Sequence, residues 1–250
     1  MKKRAIAIAC HPDDIEFMMA GTLLRLQAAG YEIHYMNVAN GSLGTNRHTR
    51  DEIVAIRRAE AIEAAGLIGA VYHESICDDL EVFYNSELLG KTVEVVREVD
   101  PEIVLTHGPY DYMEDHVNAG RLAVSATFSR GMTNFKCSQM FPPTLREVAV
   151  YHSMPHSLTD PLRRPIIPEI YIDITSTMAT KRAMLACHRS QKQWLDVSQG
   201  ADAYLEDMAF RGAHYGKLSG KYPYAEGWLR HSHVGFGAED FDPLSKALNQ

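Results

Sequence analysis

The chain has 250 residues, 46% hydrophobic and 23% charged, enough to bury a substantial core, and one domain over residues 1–250 is the simplest organisation. A formal net charge of −7, with no basic run longer than Lys2-Lys3-Arg4, lacks the basic surface that binding a phosphate backbone requires, so nucleic acid is excluded and a small neutral or cationic partner is favoured. Cys10, Cys77, Cys137 and Cys187 are scattered without Cys-x-x-Cys spacing, which excludes a thiolate zinc site and a disulfide framework and fits a cytoplasmic setting.

The first element is an apolar strand, Ala5–Cys10, too short to be read as the core of a secretory signal. No segment is expected to insert into a membrane. Ile15–Ala29 reads as a helix ending at Gly30, Ile33–Val38 as a second strand, and Asp51–Ala65 as a helix closed by Gly66. Ala70–His73 gives a third strand and Glu87–Val99 a helix, with Pro101 marking the passage into a fourth strand at Glu102–Thr106; Val117–Ser129 is a further helix. Beyond it, Val148–Tyr151 and Ile170–Ile174 look like strands, and Met178–Cys187 and Ala201–Arg211 like helices. Strands alternating with crossover helices predict an α/β, Rossmann-like, mostly parallel sheet flanked by helices.

Two strand-to-helix turns carry the chemistry. The first strand runs into His11-Pro12-Asp13-Asp14, and the fourth into a polar turn from His107 to His116. The carboxyl ends of strands in open α/β sheets are where ligands bind, so the two turns can converge. His11, Asp14 and His116 then make a two-His, one-carboxylate set that leaves room for water, as a catalytic zinc needs. The competing reading is that Asp13 or Asp14 merely caps the first helix. A dinucleotide site is excluded at this turn, which has no Gly-x-Gly-x-x-Gly and offers carboxylates where a pyrophosphate would lie.

His11-Pro12-Asp13-Asp14 with Ile15-Glu16, the Arg57-Arg58-Ala59-Glu60 segment and Asp115-His116 resemble the LmbE-like, or PIG-L, family of zinc-dependent N-deacetylases. His188-Arg189-Ser190-Gln191 and Tyr224-Ala225-Glu226 are similar to later elements of that family. The resemblance implies one zinc ion on His11, Asp14 and His116, with Asp13 as the base that activates water and then protonates the departing amine. Other divalent metals suit the same donors. Substrate is implied to be a small N-acetylated sugar or glycoconjugate; the alternatives are an amidase acting on a larger acyl group and a non-catalytic protein that binds zinc and carbohydrate. Relatives assemble as homo-oligomers, and the same is expected here.

The chain departs from the family where an imidazole commonly assists the tetrahedral intermediate: that position is Met113. His188 is the first candidate to replace it, ahead of His107 and Tyr112, although a helix-terminal histidine bonded to its own backbone is the plainer reading of His188. Asp111 and Asp115 are expected to orient imidazoles. Arg57 is the expected substrate contact, against the plainer reading of a helix-surface pair with Glu60 or Glu63. Glu16, His152 and His156 are further candidates for the pocket, and the Gly41–Asn46 loop for its cover. His231 and His233, in an irregular tail, are not taken as a site. Substrate choice is expected to lie in the segments Asn40–Thr49 and Thr133–Thr144.

Overall fold

The structure, a computed structural model, describes residues 2–135, 137, 140–192 and 203–248. One sheet of seven strands runs through it in the order β3-β2-β1-β4-β5-β7-β6. In chain order the elements are β1 (Arg4–Ala9), α1 (Asp14–Met18), α2 (Ala20–Ala28), β2 (Glu32–Asn37), α3 (Arg50–Leu67) and β3 (Val71–His73). They continue with α4 (Ser86–Val99), β4 (Ile103–His107), α5 (Glu114–Ser129), β5 (Ala149–Ser153), β6 (Ile170–Asp173) and α6 (Met178–Ala186). The last three are α7 (Ala203–Ser219), β7 (Ala225–Arg230) and α8 (Pro243–Leu248).

Strand β1 is buried on both faces, so it alternates small and large apolar residues rather than apolar and polar ones. Ala5, Ala7 and Ala9 face the core built with α1, α2, α3, α6, α7 and α8. Ile6, Ile8 and Cys10 face the one built with α4 and α5. β1 pairs in parallel with β2 on one side and β4 on the other, which makes the carboxyl ends of β1 and β4 the switch point where a crevice opens.

Two features depart from the predicted pattern. The segment Ile15–Ala29 is two helices, broken at Met19, whose φ is −134°. At the break, Glu226 accepts hydrogen bonds from the N–H groups of Gly21 and Thr22 at 2.8 and 2.7 Å, supplying the acceptors that the first turn of α2 lacks. Lys181 donates to the Phe17 carbonyl at 3.0 Å and pairs with Glu226 at 2.6 Å. Gly21 is required here, since a Cβ would stand 2.5 Å from Ile174 Cγ2.

The second departure is β7, absent from the sequence reading and antiparallel to both β5 and β6. It carries Glu226, which explains the Tyr-Ala-Glu element as a structural one. The predicted helix Ala201–Arg211 begins among described residues at Ala203 and continues to Ser219; residues 201 and 202 lie outside them. No helix among the described residues is long and apolar enough to cross a membrane.

Lys181 and Glu226 are almost fully enclosed, with side chains 2% and 4% exposed, so removing one charge strands the other. Glu226→Gln is therefore expected to destabilise the fold by about 3–5 kcal/mol in denaturant titration, and Lys181→Met added to it to restore part of that loss.

Candidate active site

The turn after β1 is built by short hydrogen bonds. The His11 N–H donates to Asp14 Oδ2 at 2.6 Å, and Asn37, at the end of β2, donates to the His11 carbonyl at 2.6 Å. Between them Asp13 adopts φ 115°, a conformation that costs a non-glycine residue about 1–3 kcal/mol and persists only where its surroundings enforce it. Here Tyr204 of α7 donates to Asp13 Oδ2 at 2.8 Å and the Arg57 guanidinium lies 3.6 Å from the same oxygen.

Asp14 points the other way. Its Oδ1 is 3.4 Å from His116 Nε2, and its Oδ2 is 3.4 Å from His11 Nδ1. Burial pushes the Asp14 carboxyl up, but the facing imidazoles of His116 and His107 outweigh it and hold the group well below the usual carboxylate range. Asp13 moves upward: burial dominates, Arg57 opposes it, and the Asp14 charge adds to it. Two adjacent carboxylates are thus driven apart, one lowered by the imidazoles it faces and the other raised by burial.

One donor atom each from His11, Asp14 and His116 lies within 4.8 Å of the others, and all three residues line a single cleft. Cys10-His11-Asp115 and His107-Asp111-His116 are equally close groupings, but the site chemistry disfavours both. Burial pushes the Cys10 thiol up to about 12, and His107 Nε2 already accepts the Cys10 N–H at 2.9 Å. Neither Cys10 nor His107 reaches the cleft wall. The two-His, one-carboxylate set fits a catalytic divalent metal with positions left open.

Each imidazole of that set has its own carboxylate behind it. Asp111 Oδ1 stands 3.1 Å from His116 Nδ1, and Asp115 Oδ2 lies 3.2 Å from His11 Nε2 while accepting the Leu80 N–H at 2.7 Å. His107 is buried against the set, its ring stacked on His116 at 4.2 Å and 12°.

The cleft has a volume of about 430 Å³. Arg57 lines it and is not spent on its helix neighbours: Glu60 receives Ser190 N–H and Oγ at 2.9 and 2.6 Å, and Glu63 pairs with Arg189 at 2.7 Å. The guanidinium donates to the Pro12 carbonyl, and its Nε has no partner among the described residues. Gln191 Oε1, also on the wall, is likewise unpartnered. Leu43 and Gly44 of the Gly41–Asn46 loop reach the cleft, the loop being pinned by Asp79, which accepts the N–H groups of Gly41 and Leu43 at 2.7 and 3.0 Å. Tyr112, half exposed, lies edge-on to His116 with ring centroids 5.8 Å apart, and Met113 lines the wall beside it.

Several expectations do not hold in this geometry. His188 is fully enclosed, with Nε2 3.4 Å from Glu16 Oε2, and has no place on the cleft wall. Glu16 is buried between His188 and the Tyr35 hydroxyl at 3.0 Å, out of reach of a substrate. His152 belongs to β5 and faces away from the cleft, whereas His156 does line it. The segment Thr133–Thr144 has no described residue on the wall. Its Thr144 bonds to Asp100 at 2.5 Å, before β4, at the opposite end of the sheet. The sequence reading also missed Tyr204, Phe17, Gln191 and Asp207, whose Oδ2 lies 3.1 Å from His156 Nε2. No motif marks Tyr204 or Asp207, since both lie on a helix whose other residues pack the core.

Fold and site together define an α/β protein with a candidate metal site at the switch point of its sheet. Residues 6–127 match the family PIG-L, described as GlcNAc-PI de-N-acetylase. The diacetylchitobiose deacetylase of Thermococcus kodakarensis is 30% identical over 235 residues, 90% of this chain and 82% of that protein. A 4-oxalmesaconate hydratase of Pseudomonas putida is 27% identical over 204 residues, 76% of this chain and 75% of that one. The structure of N,N'-diacetylchitobiose deacetylase from Pyrococcus horikoshii superposes with a TM-score of 0.78 at 24% identity, covering 97% of this chain and 88% of that one. The chain belongs to the PIG-L, LmbE-like family, an enzyme family of N-deacetylases that hydrolyse amide C–N bonds.

Asp111 stands behind the His116 ring, so Asp111→Asn is expected to weaken the affinity of the three donors for a divalent cation by roughly 10–100-fold in competition with a chelator, with little change in thermal stability.

Proposed function

We propose that the protein removes the acetyl group from an N-acetylated amino sugar or glycoconjugate, with zinc on His11, Asp14 and His116, releasing acetate and the free amine. The observation that carries this reading is the split pair: Asp14 turns to the imidazoles while Asp13, one residue away and outside the donor set, faces the cleft with its carboxyl pushed upward. A divalent cation on the three donors supplies Lewis acidity toward the acyl carbonyl and toward a water. Asp13 takes the proton from the attacking water and delivers it to the amide nitrogen as the C–N bond breaks. Tyr204 and Arg57 hold the carboxylate in place for both transfers.

Tyr112 takes the role of the imidazole missing at Met113. No hydrogen bond engages its hydroxyl among the described residues, and burial pushes its pKa well upward, so it remains a donor for negative charge on the carbonyl oxygen. His188 then supports the site from beneath, as the partner of Glu16. Arg57 Nε and Gln191 Oε1, a buried donor and a buried acceptor without partners, suit a sugar hydroxyl, which is both. Association of several copies belongs to the same proposal and is read by light scattering.

A second reading is favoured by Met113 and by the hydratase relative: addition of water to an unsaturated carboxylate at the same metal donors. One assay separates the two. Zinc-loaded protein is expected to release acetate from a panel of N-acetylglucosamine conjugates, and Asp13→Asn to reduce that rate by about 10²–10⁴-fold with zinc still bound. Undiminished turnover in the variant would remove Asp13 as the base, and hydration of an unsaturated dicarboxylate without any acetate release would install the second reading.

A further inference from the structure

Behind β4 lies a second cavity, of about 190 Å³, that shares no lining residue with the cleft. Helix α5 forms one side with Val117, Gly120, Arg121, Val124 and Ser125, and Pro109, Tyr84 and the imidazoles of His107, His152 and His231 close the rest. Gly120 lets the helix approach β4, since a Cβ there would stand 2.7 Å from the His107 carbonyl oxygen.

The polar groups of this cavity share one electrostatic character. Arg121 sits with its guanidinium carbon 4.6 Å above the Tyr84 ring, and among the described residues no carboxylate lies within ion-pair distance of it. No acidic side chain lines the cavity. The Tyr84 hydroxyl donates to Ser125 Oγ at 3.1 Å, which leaves the serine's own proton for another acceptor. His152 Nδ1 is 2.7 Å from the His107 carbonyl oxygen, which can only accept, and so carries the proton. Burial holds His152 down at about 4, so at neutral pH its Nε2 accepts from His231 Nδ1 at 2.9 Å. That commits one nitrogen of His231 and leaves Nε2 uncommitted. The cavity thus offers a pre-oriented cation, a hydroxyl donor and an imidazole around an apolar body of Pro109, Val117 and Val124, with no negative charge to repel an anion.

We propose that this cavity binds a small organic monocarboxylate, its carboxylate on Arg121 and Ser125 and its apolar part between Val117, Val124 and Pro109. The flat guanidinium, held by stacking on Tyr84, presents its edge donors to the two oxygens of a carboxylate at little further cost in side-chain order. Such a ligand stands one imidazole away from the metal donors, because the His107 ring that walls the cavity is the one stacked on His116.

Benzoate is the probe. Isothermal titration of zinc-loaded protein is expected to show saturable binding of one benzoate per chain. Arg121→Gln should weaken it about tenfold or more, the loss of one charge-assisted contact. Val124→Phe, which fills the cavity and leaves the charge, should weaken it as well. Neither residue belongs to the cleft, so both variants should keep basal turnover, and benzoate held by the zinc would survive both substitutions. Binding unchanged in the two variants, or no saturable binding to the parent protein, would overturn the proposal.

Discussion

The buried pair of Lys181 and Glu226 is the contact on which the working end of the molecule rests. A helix broken one turn after it starts exposes carbonyls on one side of the break and N–H groups on the other, and in a dry core these must be met. Lys181 meets the Phe17 carbonyl and Glu226 meets the N–H groups of Gly21 and Thr22. That frees α1 to be a five-residue helix tilted independently of α2, carrying Asp14 toward the imidazoles and Glu16 toward His188. A continuous helix would bind α1 to the direction of α2 and remove this freedom.

The rest of the site follows from burying charge in pairs. Asp13, Asp14, Asp111 and Asp115 converge on three imidazoles and one guanidinium, all largely buried. Each carboxylate is tolerated because a specific donor faces it, and its environment then decides its protonation. The same economy places Glu60 on Ser190 and Glu63 on Arg189, which leaves Arg57 for the cleft. The element His188-Arg189-Ser190-Gln191 is thereby explained residue by residue: an internal counterion, two clamps to α3, and one side chain on the cleft wall.

How much of this was legible in the sequence depends on the range of the interactions involved. β1 and β4 are apolar runs ending in polar turns, and their parallel pairing at the switch point follows from local pattern, so His11, Asp14 and His116 are brought together as the two turns imply. The break at Met19 was not legible, because its cause is a side chain on β7. β7 itself, Ala225-Glu226-Gly227-Trp228-Leu229-Arg230, alternates neither cleanly nor with strong strand formers, and its place between β5 and β6 is set by packing. His188 was misjudged because residue type advertises chemistry while burial decides whether that chemistry meets a substrate. Tyr204 was out of reach for the opposite reason, coming from an element whose local sequence speaks only of a helix.

The distance along the chain between the break and its support has a consequence for synthesis. Glu226 is separated from Gly21 by 205 positions, whereas His116 has left the ribosome long before. A nascent chain therefore holds every candidate metal donor while the helix that aims Asp14 still lacks its acceptors. The support for that helix arrives only when β7, the last strand in chain order, is threaded between β5 and β6, so the aim of Asp14 is set by a strand made well after the donors themselves.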